Sequence, residues 1–77
     1  MADPVSPATE EFGRRLREHR HKLKLTQEDL AEASDLHWTY IGQVERGERN
    51  VSLRNLLKLA EAVEVELGVL TDGLRGW

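Results

Sequence analysis

The stretch TQEDLAEASDLHWTYIGQVE, residues 26–45, decides the reading of this chain. Thr26 precedes Gln27, Glu28 and Asp29, so a capping residue is followed three positions later by an acid. That is the pattern with which a helix start exchanges side-chain and backbone hydrogen bonds. Leu30 and Ala31 then face inward, and the helix is expected to run to about Ala33 before Ser34 and Asp35 break it. A second short helix is expected from His37 to about Arg46, with Ile41 and Val44 inward and Gly47 stopping it. Ala31 lies where the two helices meet, and only a small side chain lets their backbones close. Asp35 falls at the turn, where a positive φ is needed, a conformation Asp tolerates better than most residues.

Working outward, Phe12, Leu16 and Leu23 recur at helical spacing with Arg20 on the same face, predicting a helix from about residue 8 to residue 22 capped by Ser6 or Thr9. On the other side, residues 47–51 form a loop. Ser52 caps a fourth helix whose apolar stripe is Leu53, Leu56, Leu57, Ala60 and Val63, and Val65 to Leu70 predicts a short fifth. No strand-like alternation competes. The expected fold is all-α, a compact bundle of about five short helices. Residues 1–8 read as a flexible arm, 9–72 as the folded domain with a helix-turn-helix at about 26–45, and 73–77 as a tail.

The chain has 77 residues and a net charge of −3. Its middle reverses that sign: residues 12–58 carry ten Lys/Arg against seven Asp/Glu, while both ends are acidic. A local basic face, not a basic total, is what phosphate binding needs, although ordinary surface solvation gives the same distribution. Cysteine is absent, which excludes disulfides and thiolate metal sites. No signal-peptide layout or membrane-length apolar run is visible, so a cytoplasmic protein is expected. His19 and His21 are two apart on different helix faces, and His37 has no catalytic partner nearby. No enzyme, metal site or cofactor is expected.

With TQEDLA, then YI, then ERG, then a polar loop and a capped Leu-rich helix, residues 12–70 resemble the Cro/repressor-type (XRE) helix-turn-helix family. The small controller proteins of restriction–modification systems are similar in size and in the TYI…ER segment. The resemblance implies a lambda-repressor-like DNA-binding domain that regulates transcription as a homodimer. Each third helix would enter one major groove of a near-palindromic double-stranded operator. It places base reading at the start and outer face of that helix: His37, Trp38, Thr39 and Gln43, the last able to contact adenine bidentately. Gly42 on the same face would let the helix approach closely. Trp38 departs from the usual polar readers; it either packs on a sugar or thymine methyl or is a partly covered surface aromatic. Phosphate contacts are expected from Gln27 at a helix N-terminus and from Tyr40, Arg46, Arg49, Asn50 and Ser52.

The resemblance further implies a structural ion pair between Arg20 and Glu45, the partner an arginine on an apolar stripe needs. Lys24, Asp35 and Glu64 stand where related chains carry glycine at a turn, which implies strain or shifted turns, and Glu66 stands where a serine-like cap is common. Val65, Leu67, Val69, Leu70, Leu74 and Trp77 form an apolar cluster that is either a dimer interface or a cap on the chain's own core. Two other functions fit the same fold. One is a protein-interaction module with an unknown protein partner, favoured by the acidic total and Trp38. The other is an antitoxin-type autoregulator, which needs a toxin-binding segment for which only residues 1–8 and 71–77 are spare.

Overall fold

The computed structural model describes residues 2–77. Its described residues form five helices and no strand: α1 (Pro7–Lys22), α2 (Gln27–Ser34), α3 (Trp38–Glu45), α4 (Leu53–Ala62) and α5 (Leu67–Thr71). The all-α bundle is as the sequence led us to expect. Phe12, Leu16, Leu30, Ala31, Ile41, Val44, Leu59, Ala60, Val63 and Leu70 make its core.

Helix starts follow local chemistry. Ser6 caps α1 by accepting from the Thr9 N–H, while the Thr9 hydroxyl accepts from the Ser6 N–H at 3.0 Å. The two candidate caps are thus one reciprocal box. Pro7 occupies the first helical position, where its missing N–H costs nothing. The helix therefore begins one residue earlier than expected, inside the stretch read as an arm. Thr26 and Asp29 form the same reciprocal box at α2, and Ser52 accepts from the Asn55 N–H at α4. Glu66 supplies no side-chain cap, and α5 starts at Leu67 instead of Val65.

Three of the four inter-helix turns share one geometry. Lys24, Asp35 and Glu64 have φ of 58°, 56° and 62°, the left-handed conformation that usually selects glycine. After each, an apolar residue returns its N–H to the carbonyl five positions back: Leu25 to Arg20, Leu36 to Ala31 and Val65 to Ala60, at 3.2, 3.0 and 3.1 Å. This doubly bonded helix ending satisfies carbonyls the helix leaves free and turns an apolar side chain back onto it. Those bonds offset a local strain of about 1–2 kcal/mol per residue.

Two glycines set how closely α1 approaches the end of α3. A Cβ at Gly13 would overlap the Val44 and Glu45 backbone carbonyls, and one at Gly47 would lie 2.7 Å from the Glu10 Cα. The Gly47 carbonyl accepts from the Val5 N–H and the Thr9 hydroxyl, both at 2.8 Å. The chain before α1 is hence tied to the loop after α3. The tail is tied down as well: the Gly76 carbonyl accepts from the Ala8 N–H at 3.1 Å, and Leu74 packs against the core.

Several apolar assignments change. Leu70 is fully buried in its own chain, so it is a core residue and unavailable to a dimer partner. Leu53 and Leu57 are exposed, because Leu56, Leu59, Ala60 and Val63 already fill the face of α4 turned inward. Leu23 ends α1 at the surface instead of extending its stripe.

On the outer face of α1, Glu11 receives hydrogen bonds from Arg14 and Arg15, and Arg15 also donates to the Asp72 carbonyl at 2.8 Å, tying down the end of α5. The bonds from Arg14 and then Arg15 lower the Glu11 carboxyl from about 4.5 to about 2. A depressed carboxylate contributes stability above its unfolded pKa, and that contribution is lost as pH falls from about 4.5 through about 2. In a carbon-13 carboxyl titration, Glu11 is expected to titrate near 2, well below the ordinary glutamate value of about 4.5; a midpoint at that ordinary value would rule out this pairing in solution. Gly13→Ala is expected to overpack the α1–α3 contact and cost about 1–3 kcal/mol in a denaturant melt, whereas an unchanged midpoint would show that the helices can move apart freely.

Candidate nucleic-acid interface

The surface around α3 is built from a buried charge outward. Arg20 donates from Nε and NH2 to the two carboxylate oxygens of Glu45, at 2.6 and 2.9 Å, and from NH1 to the Leu25 carbonyl at 2.9 Å. Both side chains are buried, 8% and 3% exposed. The fork-on-fork geometry suits arginine, which satisfies a carboxylate with two parallel bonds. Gln27 completes the group, its Nε2 donating to Glu45 Oε1 at 3.1 Å. One carboxylate thus joins α1, the start of α2 and the end of α3.

With its base anchored, α3 turns its N-terminal end outward. His37, Trp38 and Thr39 are exposed, and Tyr40 and Gln43 are half-buried. His37 is the N-cap: its Nδ1 accepts from the Thr39 N–H at 3.1 Å and lies 2.7 Å from the Thr39 hydroxyl. Accepting at Nδ1 leaves the ring hydrogen on Nε2. Trp38 stacks on the His37 ring, with centroids 5.9 Å apart.

A second cluster borders the helix. Arg49 Nε donates to Gln43 Oε1 at 2.9 Å, and its guanidinium lies 5.5 Å from the centre of the Tyr40 ring. The Tyr40 hydroxyl accepts from Asn55 Nδ2 at 3.2 Å. Gln43 therefore presents its amide N–H groups and one remaining lone pair on Oε1, the pair a bidentate contact to adenine would use. Arg46 pairs with Glu48 through Nε at 2.7 Å, a bond that holds the Glu48 carboxyl below its usual range. Asp29 is also lowered, by hydrogen bonds from Thr26 that fix the start of α2. Asn50 and Ser52 are exposed beside this cluster.

The structure thus gathers Gln27, His37, Trp38, Thr39, Tyr40, Gln43, Arg46 and Arg49 around α3. Gln27, Trp38, Thr39, Gly42, Gln43 and Arg46 line an open hollow of about 240 Å³. Sequence reasoning missed Asn55, Glu48 and Gly13. Asn55 had a readable signal in its place three residues after the Ser52 cap, but its bond to Tyr40 crosses from α4 to α3 and leaves no trace in spacing. Val65, Leu67 and Leu74 are partly covered by their own core, and Val69 and Trp77 are exposed.

The helix-turn-helix family model (HTH_3) matches residues 14–70. The chain belongs to the Cro/repressor-type (XRE) helix-turn-helix family. Within it, the chain is 47% identical over 62 residues to Control protein C.BamHI of Bacillus amyloliquefaciens, covering 79% of this chain and 76% of that one. It is 52% identical over 52 residues to Control protein C.SmaI of Serratia marcescens, covering 68% and 62%. Among solved structures, the restriction–modification controller protein C.AhdI from Aeromonas hydrophila superposes with a TM-score of 0.79 at 53% identity, covering 80% of this chain and 94% of that one. C.Esp1396I bound to a 25-base-pair operator site superposes at 0.75 with 32% identity, covering 82% and 83%.

Removing one partner of the buried pair strands the other charge, at a cost of about 3–5 kcal/mol. Glu45→Ala is thus expected to unfold the domain at ordinary temperature; a thermal melt matching the unaltered protein would refute that role.

Proposed function

We propose that this protein is a sequence-specific, double-stranded DNA-binding transcriptional regulator of the controller type, acting in the cytoplasm. It binds a near-palindromic operator as a homodimer, with α3 of each protomer in one major groove. The observation that carries this reading is the placement of α3. Its C-terminal end is pinned by a buried ion pair while its N-terminal end projects His37, Trp38 and Thr39 into solvent. That is the presentation a recognition helix needs. The operator-bound relative with the same fold supports it.

Phosphates are met by the backbone N–H groups at the start of α2, free at Gln27 and Glu28 because the Thr26 cap engages only Asp29, and by Tyr40, Arg49, Asn50 and Ser52 around the Gly47 loop. Thr39 and Gln43 read bases. The dimer surface uses Val69 and Trp77, exposed, with the outer parts of Val65, Leu67 and Leu74. The whole is a binding function with no catalytic step.

Selection from a random duplex library is the test, followed by titration of the enriched duplex against a scrambled one at two salt concentrations. An inverted repeat is expected. Arg49 of each protomer gives about two neutralised phosphates per dimer, which would weaken binding about tenfold between ~50 and ~200 mM salt. No enrichment, with equal and weak binding to both duplexes, would replace this reading with a protein-interaction module.

A further inference from the structure

Trp38 and Gly42 of α3 and its C-cap Arg46, still in helical conformation, recur every four residues, so they share one face, and Gln27 of α2 stands beside them around the hollow. Two polar groups on this hollow are oriented from behind by carboxylates. Gln27 Nε2 donates to Glu45 Oε1, the oxygen that also accepts from Arg20. Reversing the amide would set oxygen against oxygen, so Oε1 is the atom left unbonded; it lies 3.6 Å, and the bonded Nε2 3.8 Å, from where a Cβ at Gly42 would stand. Arg46 commits Nε and NH2 to Glu48, and its NH1 lies 3.2 Å from that same point. Among the described residues, neither Gln27 Oε1 nor Arg46 NH1 makes a hydrogen bond. The third wall is the Trp38 ring, 55% exposed and braced by His37.

We propose that this hollow is a specificity-determining subsite that reads a single T·A base pair. The inference rests on the DNA-binding reading above. The major-groove edge of that pair presents a thymine methyl, the O4 acceptor, the adenine N6–H donor and the N7 acceptor. Trp38 meets the methyl, Gln27 Oε1 accepts from N6, and Arg46 NH1 donates to N7. A G·C pair lacks the methyl, and guanine in the place of adenine turns its O6 acceptor toward Gln27 Oε1. Gly42 is required because any side chain there occupies the hollow. The side chains of Gln27 and Arg46 thereby serve bases, and the phosphate beside α2 is left to the backbone.

The test uses the enriched duplex, replacing each thymine in turn by deoxyuridine, which removes only the methyl, and each adenine by purine, which removes only the N6 amino group. The unaltered protein is expected to lose about fourfold in affinity at one thymine per half-site, the value of one buried methyl. At the paired adenine it should lose about fivefold or more. Trp38→Ala should bind the thymine and uracil duplexes equally. Gly42→Ala should lose both discriminations while melting no lower than the unaltered protein, since alanine favours a helix interior over glycine. Indifference of the unaltered protein to every deoxyuridine overturns the proposal, as does a fourfold penalty that persists in Trp38→Ala. Failure to enrich any duplex is a different result, because it removes the regulator reading itself.

Discussion

The fold and the outward presentation of α3 depend on one buried carboxylate. Glu45 accepts from Arg20 twice and from Gln27 once, and Arg20 reaches on to the Leu25 carbonyl. Three helices and one turn are therefore registered on a single charge pair. Removing such charges from water costs several kcal/mol per ion, and only full hydrogen bonding offsets it. Among the described residues no buried side-chain nitrogen or oxygen lacks a partner, so the pair is fully satisfied. Its effect is positional: a charge in a thin core tolerates one arrangement of its neighbours, where an apolar contact would tolerate several.

The same device recurs at the surface with smaller stakes. Glu48 orients Arg46, Gln43 orients Arg49, and His37 holds the first turn of α3. Each contact consumes some donors and acceptors and leaves others facing outward. The chemistry offered to a nucleic acid is therefore narrower than the side-chain inventory of α3. The acidic total charge is compatible with this, because many of the acids face arginines of the same chain or lie toward its ends.

Backbone turns supply the remaining constraint. Lys24, Asp35 and Glu64 hold left-handed geometry without glycine, each followed by an apolar residue that locks the helix end. The family pattern carries glycine at all three positions, so the sequence alone allows either strain or a shifted turn there. The turns stay in place and the strain is accepted, since moving those at Asp35 or Glu64 would withdraw Leu36 or Val65 from the core and moving that at Lys24 would break the Leu25 N–H bond to Arg20.

Helix existence was legible because capping and apolar periodicity are local. Ser6, Thr26 and Ser52 cap the helices they precede, and Gly47 ends α3. The order of the helices and the family pattern followed from the same stretch, residues 26–45. Which apolar residues are covered was not local. Leu70 is inside while Leu53 and Leu57 are outside, because burial depends on how α4 and α5 pack on the rest of the bundle. Nor could spacing show that Asn55 meets Tyr40, that Gly13 admits the α3 carbonyls, or which atom of Gln27 stays free. Sequence by itself determined the helices and the residue types on the outer face of α3. The tertiary structure decided their burial, partners and orientation, because those are set by contacts between segments far apart in the chain.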